Sequence, residues 1–175
     1  MSFKNWLLLE TDGPHKFSCV MAQLPSIKNE IVKWSKKNIP ETALCEEEGG
    51  REDDTHVTVL YGLHTNNPSD IKPILAKFSP FNISFQSVSK FEAENYDVLK
   101  IGINSHTLHK MNEKLRELPY TTNHPKYVPH CTLAYVKKKS CDHLLNDDSF
   151  SGLKVIVNDI TFSPAEGDKS KIKLS

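Results

Sequence analysis

The sequence predicts an α+β fold made of two similar lobes. Three observations carry that prediction. Helical and β-patterned segments are mixed along the chain, and the strands read as antiparallel. A strand, a helix and a second strand occupy the first part, and a strand pair, a helix and a further strand occupy the second. Each of those two closing strands contains a His-x-Thr triplet, His56-Val57-Thr58 and His130-Cys131-Thr132.

Taken in order, the alternation from His15 to Ala22 reads as a strand closed by Leu24-Pro25, and Ser26 is placed to cap the helix that follows. Ile27, Ile31 and Trp34 share one face of that helix, and Pro40 stops it. The acidic stretch from Glu46 to Asp54, with Gly49-Gly50, reads as a solvated loop. His56 to Tyr61 is rich in β-branched and aromatic residues and is bounded by Gly62, which predicts a strand. A second helix is expected from Pro68 to Phe78 on the face Ile71, Ile74, Leu75 and Phe78, although Pro73 opposes it.

Phe81 to Phe85 alternates cleanly and Val88 to Phe91 continues extended. Glu94-Asn95 then turns the chain into Val98 to Ile103, completing a hairpin. Leu108, Met111, Leu115 and Leu118 recur at helical spacing behind a Ser105 cap. A polar loop from Tyr120 to Pro129 leads into a strand over His130 to Val136, and Leu153 to Phe162 and Ile172 to Leu174 supply the last two strands.

The chain has 175 residues, enough for one sizeable core or two lobes sharing one, and it balances 22 basic against 22 acidic residues. Zero net charge argues against a protein that tracks long nucleic acid by neutralising phosphates, but leaves room for a small anionic ligand. No apolar run is long enough to span a bilayer, and nothing at the start reads as a secretory signal, so a cytoplasmic location without membrane association is expected. Cys19, Cys45, Cys131 and Cys141 are scattered and form no C-x-x-C pair, which suits a reducing compartment and offers no zinc site.

Strand geometry points residues i and i+2 to one face, so each triplet presents an imidazole beside a hydroxyl while Val57 and Cys131 turn the other way. One H-x-T match is within chance. Two matches at equivalent places of an internal duplication are much harder to attribute to accident.

With their flanks, His56-Val57-Thr58-Val59-Leu60-Tyr61-Gly62-Leu63 and Pro129-His130-Cys131-Thr132-Leu133-Ala134-Tyr135 resemble the paired signatures of the 2H phosphoesterase superfamily, which includes the 2′-5′ RNA ligase-like proteins. The resemblance spans most of the chain. It implies one bilobal domain over residues 1–175, with two antiparallel sheets flanking a central cleft and helices outside. It also implies that His56, Thr58, His130 and Thr132 form the catalytic set around one phosphate, the histidines as acid and base and the threonines as donors to its oxygens.

No metal or other cofactor is then required, and the expected partner is a small nucleotide or cyclic oligonucleotide rather than long duplex nucleic acid. Relatives include phage and viral enzymes that degrade the cyclic nucleotide signals of host immunity, so a messenger-cleaving phosphodiesterase is the leading expectation. Hydrolysis of 2′,3′-cyclic phosphates in RNA end processing is the enzymatic alternative, and a nucleotide-sequestering module the non-enzymatic one. An aromatic platform for a base is sought among Trp6, Tyr61, Phe91, Tyr96, Tyr127 and Tyr135, with Glu166 in a turn placed to close over the ligand. His15, His64 and His124 are further residues that could border the cleft, and Lys126 and Arg51 could attract a phosphate.

Overall fold

Among the residues that the computed structural model describes, 16–122, 124 and 126–175, eight strands form two four-stranded antiparallel sheets. The strands are β1 Ser18–Gln23, β2 His56–Leu63, β3 Phe81–Glu92, β4 Tyr96–Asn104, β5 His130–Lys137, β6 Lys154–Val157, β7 Asp159–Ser163 and β8 Ser170–Lys173. Their order is β2-β1-β7-β8 in the first sheet and β5-β4-β3-β6 in the second, so both H-x-T strands are edge strands. Among the described residues three α-helices accompany them: α1 Lys28–Asn38, α2 Pro68–Leu75 and α3 His106–Leu115.

Apolar residues from both sheets join in one core, in which Val20, Val57, Val59, Ile101, Cys131 and Phe162 are fully buried. The intervening positions turn away from that core. On the first sheet Gln23 pairs with His56 and Met21 with Thr58, and on the second Gly102 pairs with His130 and Lys100 with Thr132. Each sheet therefore has an apolar face and a face that carries the H-x-T side chains.

The two lobes are fastened by reciprocal exchange. α1, which leads into β2, packs against β5, and α3, which leads into β5, packs against β2. The connectors behave alike. Cys45 N–H donates to Tyr135 O at 2.9 Å, Tyr135 N–H to Gly50 O at 2.7 Å and Glu52 N–H to Leu133 O at 3.0 Å, so the segment before β2 covers the outer edge of β5. In return, His64 N–H donates to Pro119 O at 3.1 Å and Thr121 N–H to Gly62 O at 2.9 Å along the outer edge of β2. Two edges that would otherwise expose unpaired backbone groups are thereby closed, and β2 and β5 lie in contact.

Several boundaries differ from expectation, each for a local reason. The N-cap of α1 is Ile27 with no side-chain cap, so Ser26 lies one residue too early. α2 ends at Leu75 rather than Phe78, and Pro73, without an N–H to donate, sits in its last turn. The expected continuous strand from Leu153 to Phe162 is two strands that change sheets at Asn158: β6 pairs with β3, and β7 pairs with β1. The acidic stretch is not merely a solvated loop, because its backbone completes the edge of β5. Ser105 caps α3 as expected, accepting from Leu108 N–H at 3.3 Å.

Candidate active site

Both imidazoles are held by the same local device. Nδ1 of His130 contacts Val128 O at 2.8 Å, and Nδ1 of His56 contacts Asp54 O, in each case a carbonyl two residues upstream. A carbonyl can only accept, so Nδ1 must carry the hydrogen, and in the neutral ring the basic lone pair lies on Nε2. Each histidine opens its strand, where the incoming chain can still bend back to meet the ring. Both histidines are 6% exposed.

One pocket joins the two lobes. Thr58 and Tyr61 of β2 line it from one side and His130 with Phe91 from the other, while Tyr127 and Val128 close its end. His56 shares the Thr58 face of β2, and Thr132, 5% exposed, shares the His130 face of β5. Phe91 meets His130 edge-on, with ring centroids 4.9 Å apart.

The exposed carbonyls of β2 are occupied by side chains from the second lobe. Tyr127 Oη donates to Thr58 O at 2.9 Å, and Asn112 Nδ2 of α3 donates to Val59 O at 2.6 Å. Thr58 is thus tied, through its own backbone, to the loop that delivers His130. Burial pushes the Tyr127 phenol well above its ordinary range, which keeps it a donor at any physiological pH.

The remaining sequence candidates divide. Tyr61 lines the pocket, and Tyr127 does so while holding Thr58. Tyr135 corrects the expectation: it is 1% exposed and packs on Tyr96 at 6.3 Å between centroids. Strict alternation would put Tyr135 on the face opposite Thr132; the bulge in the β4–β5 pairing, between Leu99 and Lys100, brings it onto the Thr132 face instead, where it pairs with Val98 and is enclosed in a small satellite core with Ala93 and Tyr96. Glu166 is exposed in the β7–β8 turn and does not line the pocket. Trp6 and His15 lie outside the described residues.

Arg51 is a brace and not a phosphate contact, since its guanidinium reaches Glu41 at 2.6 Å, Ile39 O at 2.9 Å and Ser35 Oγ at 3.0 Å. His64 stacks on Phe17 and its Nε2 meets Thr121 Oγ1 at 2.8 Å, away from the pocket. His124 and Lys126 do line it. Burial lowers the pKa of His124, favouring its neutral form.

Sequence reasoning passed over Asn112 and Lys100. Lys100 had a visible signal, a charge inside the apolar run Val98-Leu99-Lys100-Ile101 at a position that shares the Thr132 face. Among the described residues, no group of three or more His, Cys, Asp or Glu side chains is arranged to hold a metal ion, and no helix is long and apolar enough to cross a membrane.

Comparison with known proteins supports the fold and the family. The family model described as the 2′-5′ RNA ligase superfamily matches residues 25–161. A crystal structure of E. coli LigT complexed with 3′-AMP is similar at 16% identity, covering 91% of this chain and 95% of that one, with a TM-score of 0.62. A structure titled only as a phosphoesterase aligns with the same identity, coverage and TM-score. Kluyveromyces marxianus Usb1 with uridine monophosphate aligns at 10% identity, covering 90% of this chain and 98% of that one, with a TM-score of 0.55. A search of curated protein sequences finds no match.

Proposed function

The chain belongs to the 2′-5′ RNA ligase superfamily of 2H phosphoesterases, and on that premise we propose that it cleaves phosphodiesters of small nucleotides without a metal ion. The observation that carries the reading is the matched pair of imidazoles, one on each lobe, each with Nδ1 committed to a backbone carbonyl and Nε2 left as the basic atom. One neutral ring takes the proton of the attacking oxygen at Nε2. The other, protonated, gives its Nε2 proton to the departing oxygen. Thr58 and Thr132 supply hydroxyl donors to the non-bridging oxygens as negative charge grows on them. Tyr61 offers a face for a base, where stacking contributes about 1–3 kcal/mol.

The substrate is a cyclic or short linear oligonucleotide messenger, such as a cyclic dinucleotide or a 2′-5′ oligonucleotide. Two features support a small substrate: the zero net charge of the chain, and the similarity of its fold to proteins solved in complex with 3′-AMP and uridine monophosphate. Incubation in EDTA with a cyclic dinucleotide, 2′-5′ oligoadenylate and a nucleoside 2′,3′-cyclic phosphate, followed by chromatography, tests this. Cleavage of either oligonucleotide is expected. A response to the 2′,3′-cyclic phosphate alone, or recovery of all three unchanged, overturns it.

A further inference from the structure

Lys100 is a buried lysine of β4 that lines a groove beside the His130 pocket. It is 6% exposed and is the cross-strand neighbour of Thr132. Its Nζ donates to Ser89 Oγ at 2.8 Å and lies 4.3 Å from the centroid of Phe91, the ring that meets His130. Among the described residues no carboxylate pairs with it. The contrast with Asp97, three residues earlier on the same strand, is instructive. That carboxylate is 1% exposed and receives Lys90 at 3.2 Å, Lys138 at 2.8 Å and the Lys139 N–H at 2.8 Å.

A buried ion without a partner is costly, and burial depresses the Lys100 pKa accordingly. Such a cation is accounted for if its partner arrives with the ligand. The surroundings suit an anion. Gln86, Ser87, Asn104, His109 and Lys126 join Lys100 in lining a groove with no acidic side chain, and the groove meets the His130 pocket along Lys126, Tyr127 and Val128.

We propose that this groove, anchored on Lys100, is a subsite for a second phosphate group of the substrate, beside the phosphate that the two histidines flank. The inference rests on the phosphodiesterase reading for the position of the first phosphate. It narrows the substrate class to molecules with at least two phosphates, since a nucleoside 2′,3′-cyclic phosphate leaves Lys100 unmatched.

Calorimetric titration with adenosine 3′,5′-bisphosphate and with 3′-AMP tests the subsite without requiring turnover, so absence of hydrolysis would sink the proposed function and leave this question separate. The wild-type protein is expected to bind the bisphosphate at least tenfold more tightly. Lys100→Met is expected to reduce that preference below threefold while the melting temperature stays level or rises, because an unpaired buried charge is removed. Lys126→Ala, at an exposed position, is expected to reduce the preference about threefold. Equal binding of both probes by the wild-type protein, binding of neither, a preference that survives Lys100→Met, or its loss only together with a lowered melting temperature would each overturn the proposal.

Discussion

At the scale of single residues, the decisive feature is a proton's location. Because Nδ1 of both His56 and His130 faces a carbonyl, the basic atom of each neutral ring is Nε2, and the proposed reaction requires one of the two to carry a proton there. Activity should therefore follow a bell-shaped pH profile. A rate that rose monotonically with pH, measured as kcat/KM on a cleaved nucleotide, would contradict an acid–base pair. Thr58→Val is expected to lower kcat by about 10²- to 10³-fold, the usual consequence of losing one oxyanion donor, while circular dichroism stays that of the wild type. The triplets themselves were legible in the sequence, because a period of two is all that is needed to aim His and Thr together. Which nitrogen does the chemistry was not, since it depends on how the chain bends before each strand.

At the scale of elements, alternation located β2, β4 and β5 but could not foresee their bulges. One bulge between Leu99 and Lys100 turns Tyr135 onto the Thr132 face, where a satellite core encloses it, and one residue, Asn158, passes the chain from one sheet to the other. Neither leaves a local mark, because each depends on pairing with distant strands. The exchanged connectors were equally hidden: an acidic, glycine-containing stretch looks like solvent-facing loop until its backbone is seen along β5.

Two predictions test these fastenings. Gly62 adopts φ +106°, and an added Cβ would lie 1.9 Å from Thr121 O. Gly62→Ala should cost about 1–3 kcal/mol from the backbone alone, with the clash adding to it, seen as a markedly lowered melting temperature. Tyr127→Phe removes only the hydroxyl that holds Thr58 O. A loss of about 1 kcal/mol in denaturant unfolding is expected, accompanied by a fall in kcat because the neighbouring Thr58 hydroxyl is no longer fixed. Unchanged kcat would show that this tie does not position the site.

At the scale of the whole molecule, the fold is one core with two faces of different chemistry, and its stability has a pH limit set by Asp97. Burial alone would raise the pKa of that carboxyl, but hydrogen bonds from Lys138, the Lys139 N–H and Lys90 outweigh it and hold the pKa below the ordinary carboxylate range. A depressed folded-state pKa contributes stability that is present above the unfolded value and disappears as pH falls through the folded one. Melting temperature should accordingly drop on acidification below about pH 4, and Asp97→Asn should show a flatter acid limb. The α+β class and the duplicated order were readable from composition and periodicity. The mutual embrace of the lobes, with each helix on the other lobe's H-x-T strand, required the tertiary structure.

That embrace is what lets two histidines from different halves of the chain act as a unit, and a double-mutant comparison of rates tests it most directly. His56→Ala and His130→Ala, each folded as the wild type, should each lose at least about 10³-fold in kcat on one cleaved nucleotide, and the double variant should lose scarcely more than the worse single one. Losses that multiply in the double variant, or a single variant that keeps near-wild-type turnover, would contradict the account.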